Sequence, residues 1–187
     1  MPIQITFELS ESDINHFRDV MRRARERSGD LSREQVIKAA RELLSQVRTS
    51  DSSDFIRQRM NMLETMIGMV VDKGWGLHEE DAQRVLEALT YFSDPEDLIP
   101  DSIPALGFLD DAIMVELVSR ELQHDIEAYR DFVVFRAAES HRLGEDAMKL
   151  ERSDWLEERR KQLHARMHRR RRGLGRPGSG GSGISLL

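Results

Sequence analysis

The 187-residue chain contains no cysteine, which excludes disulfides and thiolate metal sites. Aromatic residues are scarce at 6%, and Trp155 is the only one after Phe135, so a base-stacking surface for single-stranded nucleic acid is not expected in the C-terminal part. No uncharged apolar run approaches the roughly 20 residues that a transmembrane helix needs. The first residues have neither a basic leader nor an apolar stretch, and we therefore expect a cytoplasmic protein without a transmembrane segment.

Apolar residues recur at helical spacing along most of the chain, beside a charged content of 33%. The pattern predicts an all-α fold, a bundle of five to six helices with a proline-marked corner. Residues 3–9 alternate apolar and polar, which predicts a short extended N-terminal arm. The predicted helices begin at Ser10 and at Ser32 and then cover 54–73, 78–92, 109–141 and 145–171.

Local signals support several of these helix ends. Ser10 with Asp13 and Ser32 with Gln35 have the spacing of capping boxes. Gly74 follows the third helix, where a left-handed C-cap would fit. That helix is rich in methionine, and at helical spacing we interpret the stripe as core rather than as a binding groove.

The net charge of −6 conceals two opposed regions. From Arg159 onward there are nine Lys and Arg and no acidic residue, so residues 1–158 carry −15. We predict an acidic helical domain at 1–158, a basic helical extension at 159–176 and a flexible Gly/Ser tail with an apolar end at 177–187. Such an asymmetry indicates a tail that meets a polyanion or folds back on its own acidic body.

One proline-marked segment contains a dense motif of the form Asp-Leu-Ile-Pro-Asp, two residues, Pro, two residues, Gly, two residues, Asp-Asp. The matching positions are Asp97, Leu98, Ile99, Pro100, Asp101, Pro104, Gly107, Asp110 and Asp111. The motif resembles that of the YkvA-like family of domains of unknown function, over roughly residues 80–120. The resemblance implies a helical hairpin, and it implies no reaction, substrate or cofactor.

The motif's aspartates permit two interpretations. Aspartate is a common helix cap and is favoured in the first turn of a helix, so a structural role comes first. The alternative is that Asp97, Asp101, Asp110 and Asp111 converge on a divalent cation, which prefers oxygen ligands, or accept the basic tail.

Glu121 and His124 form a Glu-x-x-His pair, the spacing that ferritin-like di-iron proteins use twice. The chain has one such pair, so a complete site would need a homodimer or further glutamates. An exposed Glu and His on the surface of one long helix is the simpler interpretation. We predict no cofactor.

The basic extension is the strongest partner signal. Arginine-rich helix ends bind phosphate backbones or anionic lipid without reading sequence, and a merely solvated tail is the alternative. The candidate polyanion-binding residues are Arg166, Arg169, Arg170, Arg171, Arg172 and Arg176.

Three apolar residues, Ile184, Leu186 and Leu187, follow the Gly/Ser linker. Such an end can dock in a groove or add to a sheet edge of a protein partner. It distantly resembles the peptides that load cargo into encapsulin shells, and an engineered spacer is the other interpretation.

Together these features favour a non-enzymatic protein-interaction or adaptor module whose tail tethers it to a partner or polyanion. The first alternative is a metal-binding protein, either of the ferritin-like di-iron type or with an Asp-cluster site. Such a protein could be a cargo of an encapsulin shell. A nonspecific binder of nucleic acid or anionic membrane surfaces is the second.

Overall fold

A computed structural model describes residues 8–27, 31–93, 99, 106–144 and 154–174, with the side chains of 156–173 in the last range. The all-α prediction is confirmed, and no strand occurs in the described ranges. The described helices are α1 (Glu11–Arg27), α2 (Arg33–Thr49), α3 (Asp54–Val71), α4 (Glu79–Leu89), a 3-10 helix (Thr90–Ser93), α5 (Leu109–Glu121), α6 (Gln123–Leu143) and α7 (Asp154–Leu174). The predicted N-terminal arm and most of the proline-marked corner lie outside the described residues.

The chain divides into two compact units, Met1–Leu122 and Gln123–Leu187. The first contains α1 to α5 and the 3-10 helix, and the second contains α6 and α7. The three-part division predicted from charge stays a prediction. None of the helices in the described ranges combines the length and apolar character that a membrane span requires.

Both predicted capping boxes are present. The Ser10 N–H donates to the Asp13 carboxylate at 2.8 Å, and the Asp13 N–H donates back to the Ser10 hydroxyl at 3.3 Å. At the start of α2, Ser32 and Gln35 exchange the same two bonds, with distances of 2.8 and 3.3 Å. Each box satisfies donors that the first helical turn leaves without an intrahelical acceptor.

The methionines of α3 belong to the core of the first unit, as the sequence predicts. Met60, Met66 and Met69 are buried and Met62 is half-buried. The left-handed cap, however, is not at Gly74. The chain leaves α3 at Asp72, whose carboxylate accepts the N–H groups of Gly74 and Trp75, and the left-handed residue is Gly76 at φ 56°. The Asp72 carboxylate thereby orders the turn after α3, while its backbone N–H donates to the Gly68 carbonyl at the end of the helix.

The single long helix predicted over 109–141 is wrong. α5 ends at Glu121, Leu122 adopts φ −98° and ψ 14°, and α6 begins at Gln123. No glycine or proline marks this break in the sequence. The predicted helix 78–92 also ends early, because the chain tightens into the 3-10 helix from Thr90.

Candidate functional site

The described part of the motif segment is built around the first turn of α5. Asp110 and Asp111 are both buried there, with Asp110 only 2% exposed. One carboxylate oxygen of Asp110 accepts the backbone N–H of Ile99 at 3.0 Å, across eleven positions of the chain. This carboxylate therefore anchors Ile99 of the motif to the first turn of α5, a structural role in accord with the capping interpretation.

The metal interpretations receive no support from the described ranges. Asp97 and Asp101 lie outside them, and the described residues contain no group of three or more His, Cys, Asp or Glu side chains placed to hold an ion. Glu121 is the last residue of α5 and His124 lies in the first turn of α6, so the two residues are not on the single long helix that the sequence predicts. A metal role for these residues stays a prediction.

A row of ion pairs joins α7 to α6 in the second unit. Arg166 contacts Asp131, and Arg170 contacts Glu127 at 2.6 Å. In each pair, a position further along α7 meets a position earlier on α6, so the two helices are antiparallel. The four side chains are partly exposed, between 31% for Arg166 and 49% for Asp131. We call these two pairs the ladder.

A third pair in this unit is far more buried. Arg171 donates to Asp125 at 3.2 Å, and the Asp125 side chain is 1% exposed. The same guanidinium lies 2.7 Å from Nδ1 of His168. Because arginine only donates, Nδ1 of His168 is the acceptor and its proton lies on Nε2. A buried carboxylate such as that of Asp125 is costly without a cation beside it, and Arg171 supplies that cation. We therefore assign this pair a structural role.

Neighbouring side chains lower the pKa of the Glu127 carboxyl. A hydrogen bond from the Gln123 side chain, followed by the charge of Arg170, holds the pKa of the Glu127 carboxyl below its usual value. The carboxylate is therefore ionised, and available to Arg170, throughout the neutral range.

Two more of the predicted arginines lie at the surface of α7. Arg169 and Arg172 are exposed, and no carboxylate in the described ranges pairs with either of them. Arg176 and the apolar end formed by Ile184, Leu186 and Leu187 lie outside the described residues. The six candidates thus include two free cations, three paired cations and one that the structure does not describe.

Sequence reasoning missed the acidic partners on α6, which are Asp125, Glu127 and Asp131. A signal was present, since Glu127 and Asp131 are four residues apart, as are Arg166 and Arg170, and equal spacings can pair across two helices. His164, which lies in the basic extension, is buried.

A family profile described as "Protein of unknown function (DUF1232)" matches residues 85–117. The match covers the second half of α4, the 3-10 helix, the motif loop and the first nine residues of α5. No curated protein and no solved structure matches the chain. This chain is therefore similar, over the segment that Asp110 anchors, to a family of unknown function.

Proposed function

We propose that the protein is a non-enzymatic interaction module that α7 tethers to a polyanionic partner. One observation carries this proposal: Arg169 and Arg172 are exposed and lack a described carboxylate partner, whereas Arg166, Arg170 and Arg171 are paired. Unpaired arginines on a helix surface are available to phosphate or other anionic groups.

The surroundings of the two arginines favour anions over other partners. Lys161, an exposed cation earlier on α7, is paired with Glu157 at 2.8 Å, and Glu158 is exposed beside it. No acidic residue follows Glu158 in the sequence, so the part of the helix that carries Arg169 and Arg172 has no carboxylate of its own. Both arginines lie near the C-terminal end of the helix, where the helix dipole stabilises the cations themselves. With no aromatic residue on this face to stack on bases, binding would depend on charge and not on sequence.

Replacing Arg169 and Arg172 by Gln tests the proposal. Binding of short mixed-sequence duplex DNA and of vesicles containing anionic lipid is measured at several salt concentrations. If the two arginines contact phosphates, the variant binds DNA more weakly and its salt slope falls by about 0.9 per lost contact.

The matched control is Arg23→Gln with Arg57→Gln, two exposed arginines of the first unit, which changes the net charge equally. Equal binding by both variants would refute the tether, and binding to vesicles but not DNA would assign it to membrane surfaces. Absence of binding to either probe at low salt would also refute it.

We further propose that the segment matched by the family profile is YkvA-like. The motif residues at 97–111 all lie within the matched range 85–117, and Asp110 anchors the loop that contains them. In this proposal the segment has a structural role and does not contact the polyanion. The expected cytoplasmic location and the docking role of the apolar end are part of the same proposal.

A further inference from the structure

We infer that the α6 carboxylates Glu127 and Asp131 are an intramolecular competitor that masks two α7 arginines from the polyanion. The inference rests on the proposed function and concerns its regulation. It assigns the ladder a role in binding, as an autoinhibitory contact, in addition to its role in packing.

The ladder pairs are accessible from solvent. Arg170 and Glu127 are 48% and 41% exposed, and Asp131 is 49% exposed. Both pairs therefore lie at the surface, and an incoming anion can reach the guanidinium groups without unfolding α7. Exchange of a carboxylate for a phosphate then requires only side-chain rotation, because both anions accept the same N–H donors.

The two ladder arginines lie beside Arg169 on α7. Arg166, Arg169 and Arg170 are related by three and four residues, so they are neighbours on the surface of α7. Release of Arg166 and Arg170 from the ladder would place them beside the free Arg169, making one continuous cationic strip. The closed ladder leaves Arg169 and Arg172 as the cations of this helix end that are open to a ligand.

The pair between Arg171 and Asp125 differs from the two ladder pairs in its burial. Its partner Asp125 is 1% exposed, so this pair is not open to exchange. It keeps α7 against α6 while the ladder opens. The masking is therefore confined to the two exposed pairs.

The test is the double substitution Glu127→Gln with Asp131→Asn, assayed against the same duplex DNA. Both substitutions keep the side-chain shape and remove the negative charge. We expect tighter binding than wild type and a salt slope steeper by about 1.8, since two further phosphate contacts become available. The control Glu79→Gln with Glu80→Gln removes two exposed carboxylates of α4, in the first unit, and its slope should equal that of wild type.

Two outcomes would overturn the inference. One is a double variant whose slope matches wild type or the control. The other is a gain that persists when Arg166→Gln and Arg170→Gln are added, since the gain must come from those arginines. Hydrogen exchange of α7 shows whether the helix stays folded, and if the double variant unfolds α7, Asp131→Asn alone is assayed with an expected slope increase of about 0.9.

Failure of the masking and failure of the tether give different results. If Arg169→Gln with Arg172→Gln leaves DNA binding unchanged, the tether is wrong. If that variant weakens binding while Glu127→Gln with Asp131→Asn has no effect on the slope, the tether stands and the masking is wrong.

Discussion

The two compact units bury different kinds of side chain. Among the described residues, the first unit buries 31 apolar and six polar or charged residues, whereas the second buries seven apolar and four polar or charged ones. Polar groups thus make up a much larger share of what the α6–α7 unit buries. Burial of apolar area is a strong, nondirectional contribution, while each ion pair must first offset the cost of removing its charges from water.

The stability of the second unit therefore depends more on pH and salt than that of the first. Exposed ion pairs are screened by salt and each contributes little, so the ladder can be rearranged by pH, salt or a competing anion. Within the described residues, the apolar core around α3 has no ion pairs of this kind through which pH, salt or an anion could change its packing. We therefore expect the larger losses of stability from substitutions in the first unit, and the smallest loss, with the clearest dependence on pH and salt, from the ladder.

The largest effect is expected from Met66→Ala in α3. Met66 is fully buried in the first unit, and truncation of such a residue removes apolar burial and leaves a cavity, at a cost of about 2–5 kcal/mol. Urea unfolding gives the change in the free energy of unfolding. Met62→Ala is the matched control on the same helix, because Met62 is half-buried, and its cost should be clearly smaller. Equal costs would contradict a core built on this face of α3.

Removal of the motif anchor ranks second. Asp110→Ala leaves the N–H of Ile99 without its carboxylate acceptor, at an expected cost of about 1–3 kcal/mol. Asp110→Asn keeps an oxygen acceptor at the same place and should cost less. Unfolding of both variants is compared with and without added Mg²⁺. Rescue of Asp110→Asn by the cation would favour a metal over the anchor.

The capping box of α2 gives the third effect. Ser32→Ala removes the acceptor for the Gln35 N–H, and loss of such a cap costs about 1 kcal/mol. Ser32→Asp restores an acceptor and also favours the helix dipole, so it should recover most of the stability. Thermal unfolding followed by circular dichroism is sufficient, and a Ser32→Asp variant no more stable than Ser32→Ala would show that the box contributes nothing.

The smallest effect is a pH dependence of the ladder. The folded pKa of Glu127 is lowered, so the unfolded chain binds its proton at higher pH than the folded chain does. The resulting stability is present above the unfolded pKa of about 4.3 and is lost as pH falls through the folded pKa. For this partly exposed pair we expect about 0.2–1 kcal/mol.

The measurement is the difference in unfolding free energy between wild type and Glu127→Gln as pH is lowered from neutral. The difference should shrink below pH 4 and should be smaller at high salt. A difference that is constant with pH would mean that the Glu127 charge does not stabilise the unit.

Much of the fold was predictable because its signals are local. Ser10 and Ser32 begin helices as expected, since a cap bonds to a backbone group only three residues away. The burial of Met60, Met66 and Met69 follows from helical periodicity. The break at Leu122 was not predictable, because no glycine or proline there marks the end of a helix.

The candidate site was predictable only in part. The arginine run and the aspartates of the motif are evident in the sequence, and the structural role of Asp110 was the first interpretation. The partner of that carboxylate, the N–H of Ile99, is separated from it by a proline-containing loop. Pattern reasoning could not assign this bond, since it depends on the path of the loop in three dimensions.

By itself the sequence determined the all-α class, the N-terminal caps of α1 and α2, the apolar face of α3 and the separation of positive from negative charge. These follow from interactions between residues within one helical turn, and from composition. The tertiary structure decided where helices break and which arginines have a partner. Arg169 and Arg170 are adjacent and chemically identical, yet within the described ranges only Arg170 meets a carboxylate, because α6 lies antiparallel beside one face of α7. Which face of a helix is covered by another helix is decided by packing between distant segments, and that packing separates the paired arginines from the free ones.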